Sequence, residues 1–172
     1  MYYNILNSSS IQNYIPKGNT PILIRVLEPS YKYLGTPYQI TNIDKYKAVL
    51  ELYLDDTKLT YDNKDNIFNY ETAKILNDFI LKNEFDEIVV HCSLGISRSP
   101  AIMICIAKIL NNKKLENIIK KNYKFYNSHI TDIFEKNNYS IKKIKNPNNI
   151  NGNILDKKTD QETNYILKKI LK

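Results

Sequence analysis

The chain has 172 residues, 25 Lys and Arg against 18 Asp and Glu, a net charge of +7, two cysteines and no tryptophan. That length supports one domain with an ordinary hydrophobic core, and so few cysteines exclude a disulfide-stapled miniature and point to a reducing compartment. No stretch reaches the length of a bilayer span and no cationic run leads into an apolar core at the start, so a cytoplasmic protein without a transmembrane segment is expected.

In chain order, residues 1–20 mix Tyr, Asn and Ser without a period and predict a loose lead-in. Pro21–Leu27 reads as the first strand. Arg25 lies inside that apolar run, so it is expected to point outward on an edge or to pair with an acid such as Glu28 rather than to touch a substrate. Residues 31–44 form a turn-rich connector containing Gly35 and Pro37, and residues 48–54 a second strand that ends in Asp55 and Asp56. Over residues 66–82, Ile67, Tyr70, Ile75, Phe79 and Ile80 approximate a helical stripe that leads into a short apolar strand at Glu87–His91. Residues 100–110 have the length and composition of a buried helix. Residues 114–127 and 128–136 predict two more helices, the second capped by Ser128 and carrying His129 as a surface or packing residue. From residue 137 the chain turns polar and rich in Asn, Lys and Ile, with Pro147 and Gly152 as breakers. Thr159 and Glu162 then make a capping-box pattern before Tyr165, Ile166, Ile170 and Leu171, an amphipathic helix expected to dock on its own domain. The predicted division is a domain over 1–136 and a linker with terminal helix over 137–172. The lysine excess is spread in doublets such as Lys113-Lys114 and Lys142-Lys143, which read as solvated helix faces, so nucleic acid is not the expected partner.

The segment His91-Cys92-Ser93-Leu94-Gly95-Ile96-Ser97-Arg98-Ser99 carries the chemistry. Arg25 and Arg98 are the only arginines, so a guanidinium six positions after a cysteine is not a product of composition. A phosphate monoester dianion is held best by amides converging from a tight loop, by the positive end of a helix and by one planar bidentate cation. A loop between a strand end and a helix start offers all three. Gly95 lets the backbone turn its amides inward, Ser99 reads as the helix cap, and Pro100 suits the first turn. Cysteine in such surroundings ionises readily and becomes a nucleophile for phosphorus. Cys105, in the middle of an apolar helix, reads as core.

The pattern H-C-x-x-G-x-x-R-S resembles the signature loop of the cysteine-dependent protein tyrosine phosphatases, and its compact setting resembles their small dual-specificity branch. The resemblance covers about residues 21–136 and implies an α/β fold with a central, mostly parallel sheet flanked by helices and the site at the carboxyl ends of the strands. It implies that Cys92 attacks the phosphoester and forms a cysteinyl-phosphate that water hydrolyses. Arg98 and the loop residues Ser93, Leu94, Gly95, Ile96 and Ser97 would bind the phosphoryl group. Ser99 would help the sulfur leave, and His91 would order the loop and help keep the cysteine ionised. No cofactor or metal is implied.

Protonating the leaving oxygen needs an acid from another part of the chain. Asp56 is the favoured candidate and Asp55 the reserve, because the resemblance places the acid on a loop after a strand well upstream of the cysteine. Asp62 and Asp65 lie in a polar stretch and fit less well. With no tryptophan, the W-P-D form of that loop is absent. The expected partner is a phosphorylated protein, dephosphorylated at tyrosine and also at serine or threonine. The uncharged loop interior favours a singly phosphorylated group over the alternatives, inositol phosphates or lipids and RNA 5′ ends. A phosphopeptide-binding adaptor without turnover is the competing class, and a persulfide or arsenate enzyme ranks last.

Overall fold

Residues 1–36, 38–57 and 66–137 are described in a computed structural model. Strands β1 (Tyr2–Leu6), β2 (Pro21–Leu27), β3 (Ala48–Tyr53) and β4 (Glu87–His91) form one all-parallel sheet in the order β1-β4-β2-β3. Helices α1 (Ser8–Gln12), α2 (Tyr31–Leu34), α3 (Tyr70–Lys82), α4 (Arg98–Ile109), α5 (Lys113–Asn122) and α6 (Ser128–Lys136) alternate with it. The result is an α/β fold.

The apolar runs in β2 and β4 explain why these strands lie at the centre, since a parallel strand buried on both faces cannot alternate with polar residues. Every residue of β4 is buried. Ile22, Ile24, Val26, Ile88 and Val90 face the main core with Ile102, Ile104 and Phe134, while Leu23 and Val89 pack on Ile11, Ile40 and Tyr46 on the other side. Helix α4 is buried along nearly its whole length and is the member around which α5 and α6 pack.

The first twenty residues are not a loose lead-in: β1 pairs with β4 along its length, and α1 follows it. A buried carboxylate fixes the segment. Glu87, fully buried at the base of β4, accepts from Asn4 Nδ2 (2.8 Å) and Tyr14 Oη (2.6 Å) and from the amides of Lys17 (2.5 Å) and Gly18 (2.6 Å). A Cβ at Gly18 would overlap Asp86 and Glu87.

Arg25 does not meet Glu28. Residues three apart in a strand point to opposite faces, whereas Arg25 and Glu51 are register partners on β2 and β3 and pair at 2.6 Å. The buried stripe of α3 is Ala73, Leu76, Asn77 and Ile80, with Tyr70 and Ile75 exposed, so the larger apolar residues misplace the face. Helix α5 stops at Asn122, short of the expected residue 127. Asn127, not Ser128, caps α6, its side chain accepting from the Ile130 amide at 3.4 Å. His129 has its Nε2 3.2 Å from the Phe68 carbonyl. Asp62, Asp65 and, apart from Asn137, the linker and terminal helix expected over 137–172 lie outside the described residues. No helix among the described residues is long and apolar enough to cross a membrane.

Candidate active site

Strand β4 delivers Cys92 at its carboxyl end, and the neighbouring end of β1 supports the turn that follows. The Cys92 amide donates to the Leu6 carbonyl at 3.3 Å, and the Ser8 amide and hydroxyl both donate to the Ser93 carbonyl, at 3.2 and 3.1 Å. Gly95 has φ +73°, and a Cβ there would stand 3.1 Å from Asn7 N and Leu6 C. Both its backbone sign and its closeness to β1 require glycine. The Gly95 amide points at the Cys92 sulfur (N to Sγ 3.2 Å), and the Ser99 hydroxyl lies 3.1 Å from the same sulfur. Cys92 is 2% exposed, but these polar contacts, not hydrocarbon alone, surround its thiol. The amides of Leu94, Ile96, Ser97 and Arg98 have no acceptor among the described residues. They are orphan donors at the start of α4, where the helix dipole is positive.

Ser99 is not the cap of α4. Arg98 opens the helix, Ser97 is its N-cap residue and makes no side-chain cap bond, and Ser99 sits in the first turn with its hydroxyl turned to the sulfur. Ser97 spends its own hydroxyl elsewhere, donating to Asp56 Oδ1 at 2.7 Å.

Arg98 is buried to 4% exposure beneath the loop. Nη1 donates to the Leu54 carbonyl at 2.7 Å, and Nη2 donates to Glu28 Oε1 at 2.5 Å and Ser93 Oγ at 3.2 Å. Nε has no hydrogen-bond partner among the described residues and lies 3.9 Å from Asp56 Oδ2. Burial opposes the guanidinium charge, but the Glu28 hydrogen bond and the charges of Cys92, Glu28 and Asp56 outweigh it, so its pKa stands above the ordinary arginine value. For Glu28, burial pushes the carboxyl up and the Arg98 and Ser93 hydrogen bonds pull it further down, below the usual glutamate range.

The end of β3 supplies the second carboxylate. Asp56 accepts at Oδ1 from Ser97 Oγ and, at 3.0 Å, from Asn127 Nδ2. Asn127 ties the acid to two elements at once, because its amide donates to the Ser97 carbonyl at 3.1 Å while its side-chain oxygen caps α6. Asp55 is not drawn in: its amide donates to the Asn66 carbonyl at 2.8 Å, and among the described residues its carboxylate makes no hydrogen bond or ion pair.

His91 is fully buried on the opposite sheet face from α4, edge-on to Tyr38 with ring centroids 6.2 Å apart, and neither ring nitrogen has a hydrogen-bond partner among the described residues. Burial, and then the Arg25 charge, push its pKa down to about 3. The neutral ring lends no positive charge to the sulfur and makes no bond to the loop. Cys105 is fully buried within α4, and burial pushes its thiol pKa up.

The structure therefore brings Cys92, Ser93, Gly95, Ser97, Arg98, Ser99 and Asp56 together and leaves Leu94 on the rim at 44% exposure. Glu28, Asn127 and the Leu54 carbonyl were missed by sequence reasoning. An acid just past a central strand was the only local signal for Glu28, and an Asn-Ser pair before a helix the only one for Asn127. Among the described residues no group of three or more His, Cys, Asp and Glu side chains is arranged to hold a metal ion. No protein-family model matches the chain, and no characterised protein matches its sequence.

Proposed function

We propose that this chain is a phosphoric monoester hydrolase of the cysteine-dependent kind, acting on phosphotyrosine in proteins and also on phosphoserine and phosphothreonine, in a reducing, cytoplasmic setting suited to its free thiol. The sulfur of Cys92 attacks phosphorus: an S–P bond forms, the ester P–O bond breaks, and Asp56 gives its proton to the leaving oxygen. Water then attacks the phosphorus and yields a proton to Asp56, and the S–P bond breaks. The sulfur leaves with its electron pair, met by the Ser99 hydroxyl and the Gly95 amide. Throughout, the unclaimed loop amides and Arg98 carry the charge of the phosphoryl oxygens.

The observation that carries this reading is the meeting of Asp56 with the loop. A carboxylic acid from the end of a separate strand is fixed by Ser97 and Asn127 on the loop of a cysteine whose sulfur already faces the Gly95 amide and the Ser99 hydroxyl. A merely structural cysteine needs none of these partners. The test is kinetic. Purified protein should hydrolyse an aryl phosphate in chelator, be inhibited by vanadate, and lose turnover in Cys92→Ser. Asp56→Ala should depress kcat with little change in binding. Retained turnover in Cys92→Ser removes the nucleophile, a larger loss in Asp55→Ala reassigns the acid, and tight phosphopeptide binding without turnover favours the adaptor.

A further inference from the structure

The long edge of the Arg98 guanidinium is half taken. That edge presents Nε and Nη2 side by side, the pair an oxyanion takes bidentately. Nε is buried with no hydrogen-bond partner among the described residues, while Nη2 already donates to Glu28 Oε1 (2.5 Å) and to Ser93 Oγ (3.2 Å). Ser93 Oγ in turn donates to the same Glu28 oxygen at 2.7 Å, so the carboxylate is tied to both the guanidinium and the loop. Asp56 Oδ2 stands 3.9 Å from Nε. One positive charge therefore faces two carboxylates before any ligand arrives. The Glu28 side chain is 35% exposed, so it reaches solvent rather than lying in the core.

We propose that Glu28 is a specificity-determining charge filter: it leaves the Arg98 site able to take one phosphoryl group and repels ligands that bring further phosphate charge beside it. This rests on the reading of Cys92–Arg98 as a phosphoryl site and names the ligand class that site prefers, monoesters whose remainder is uncharged near the phosphate. In a peptidyl or aryl monoester the charge ends at the phosphoryl oxygens. In a polyphosphate it continues past them, and every added charge meets Glu28 in partly desolvated surroundings where screening is weak.

The test is equilibrium binding of orthophosphate and of tripolyphosphate to the full chain at fixed ionic strength, comparing wild type with Glu28→Gln. Glutamine keeps a carbonyl oxygen for Nη2 and the Ser93 hydroxyl and removes only the charge. The ratio of tripolyphosphate to orthophosphate affinity should rise about tenfold, and Glu28→Ala should move it the same way. A ratio that stays level or falls, or a parallel loss of both ligands, overturns the filter and leaves Glu28 as a holder of Arg98. Wild-type turnover of an aryl phosphate reads the reaction separately. Turnover with an unmoved ratio overturns the filter alone, a moved ratio without turnover overturns the reaction alone, and no binding of either ligand to wild type overturns both.

Discussion

Asn127 is where a change outside the nucleophilic loop should reach the chemistry. It is 1% exposed and does three things: its amide donates to the Ser97 carbonyl, its Oδ1 caps α6 through the Ile130 amide, and its Nδ2 donates to Asp56 Oδ1 at 3.0 Å. Asn127→Ala removes the second and third. Loss of the cap costs about 1 kcal/mol of stability, which lowers the melting temperature of a chain this size by about 2–4 °C. Loss of a hydrogen bond to a charged group is worth about 1.5–3 kcal/mol. Ser97 Oγ still restrains the same oxygen at 2.7 Å, so the lower end applies. If that restraint acts in the transition state, it corresponds to about a tenfold loss in kcat.

Stability and proton delivery separate by choice of variant and substrate. Serine caps a helix as well as asparagine does but is too short to reach Asp56, so Asn127→Ser should melt near wild type and still lose rate. A positioned acid matters only when the leaving oxygen needs a proton. The loss should therefore be about tenfold on an alkyl or weakly acidic aryl phosphate and should shrink towards nothing on a strongly acidic phenol. Equal losses on both leaving groups, or full activity of Asn127→Ser on the poor one, would refute a positioning role.

Three further outcomes follow from the geometry. Gly95→Ala puts a Cβ 3.1 Å from Leu6 C and Asn7 N at φ +73°, so vanadate affinity and turnover should both fall, with about 1–2 kcal/mol lost in denaturant unfolding; unchanged vanadate affinity would show that the turn at Gly95 does not shape the anion site. Glu87→Gln turns part of a buried acceptor into a donor facing the Lys17 and Gly18 amides, so it should cost about 1–3 kcal/mol and raise amide exchange over β1 first, whereas wild-type protection of β1 would mean the carboxylate does not fix it. His91 stays neutral when folded down to about 3, against 6.5 unfolded, so between those values the unfolded chain binds the extra proton and stability falls as pH drops. His91→Leu should flatten that decline, and parallel denaturation curves for variant and wild type would dismiss it.

The loop was legible because its chemistry is local. A cysteine, a glycine and an arginine at fixed spacing between an apolar strand and an apolar helix specify the turn without reference to the rest of the chain. The same holds for β2, β3 and β4, whose runs of apolar residues sit between turn formers. Strand β1 was not legible. Its Tyr-Tyr-Asn-Ile-Leu sequence carries a polar residue in the middle, and that Asn4 is tolerable only because Glu87, eighty-three positions away, accepts its side-chain amide. In α3 the error was one of weight: Ala73, Leu76, Asn77 and Ile80 have the i, i+3, i+4, i+7 spacing of a buried face, but the bulkier Tyr70 and Ile75 mark another stripe.

The carboxylates obey a different rule from the loop. Glu28 and Asp56 stand just past the ends of β2 and β3, and in a parallel sheet those ends lie on the same side as the end of β4. Any acid there is a candidate partner for Arg98, so topology nominates both and chooses neither. The choice is made by the hydrogen bonds each finds: Glu28 takes Nη2 and the Ser93 hydroxyl, and Asp56 takes the Ser97 hydroxyl and Asn127. Asp55, one residue earlier, finds no such side-chain partner among the described residues, and its amide donates to the Asn66 carbonyl instead. Asp56 is gripped through Ser97 and Asn127 with only a long approach to the guanidinium, whereas Glu28 is paired directly with Arg98 and held below the usual glutamate range. That asymmetry is the physical basis for proposing proton transfer for Asp56 and charge selection for Glu28.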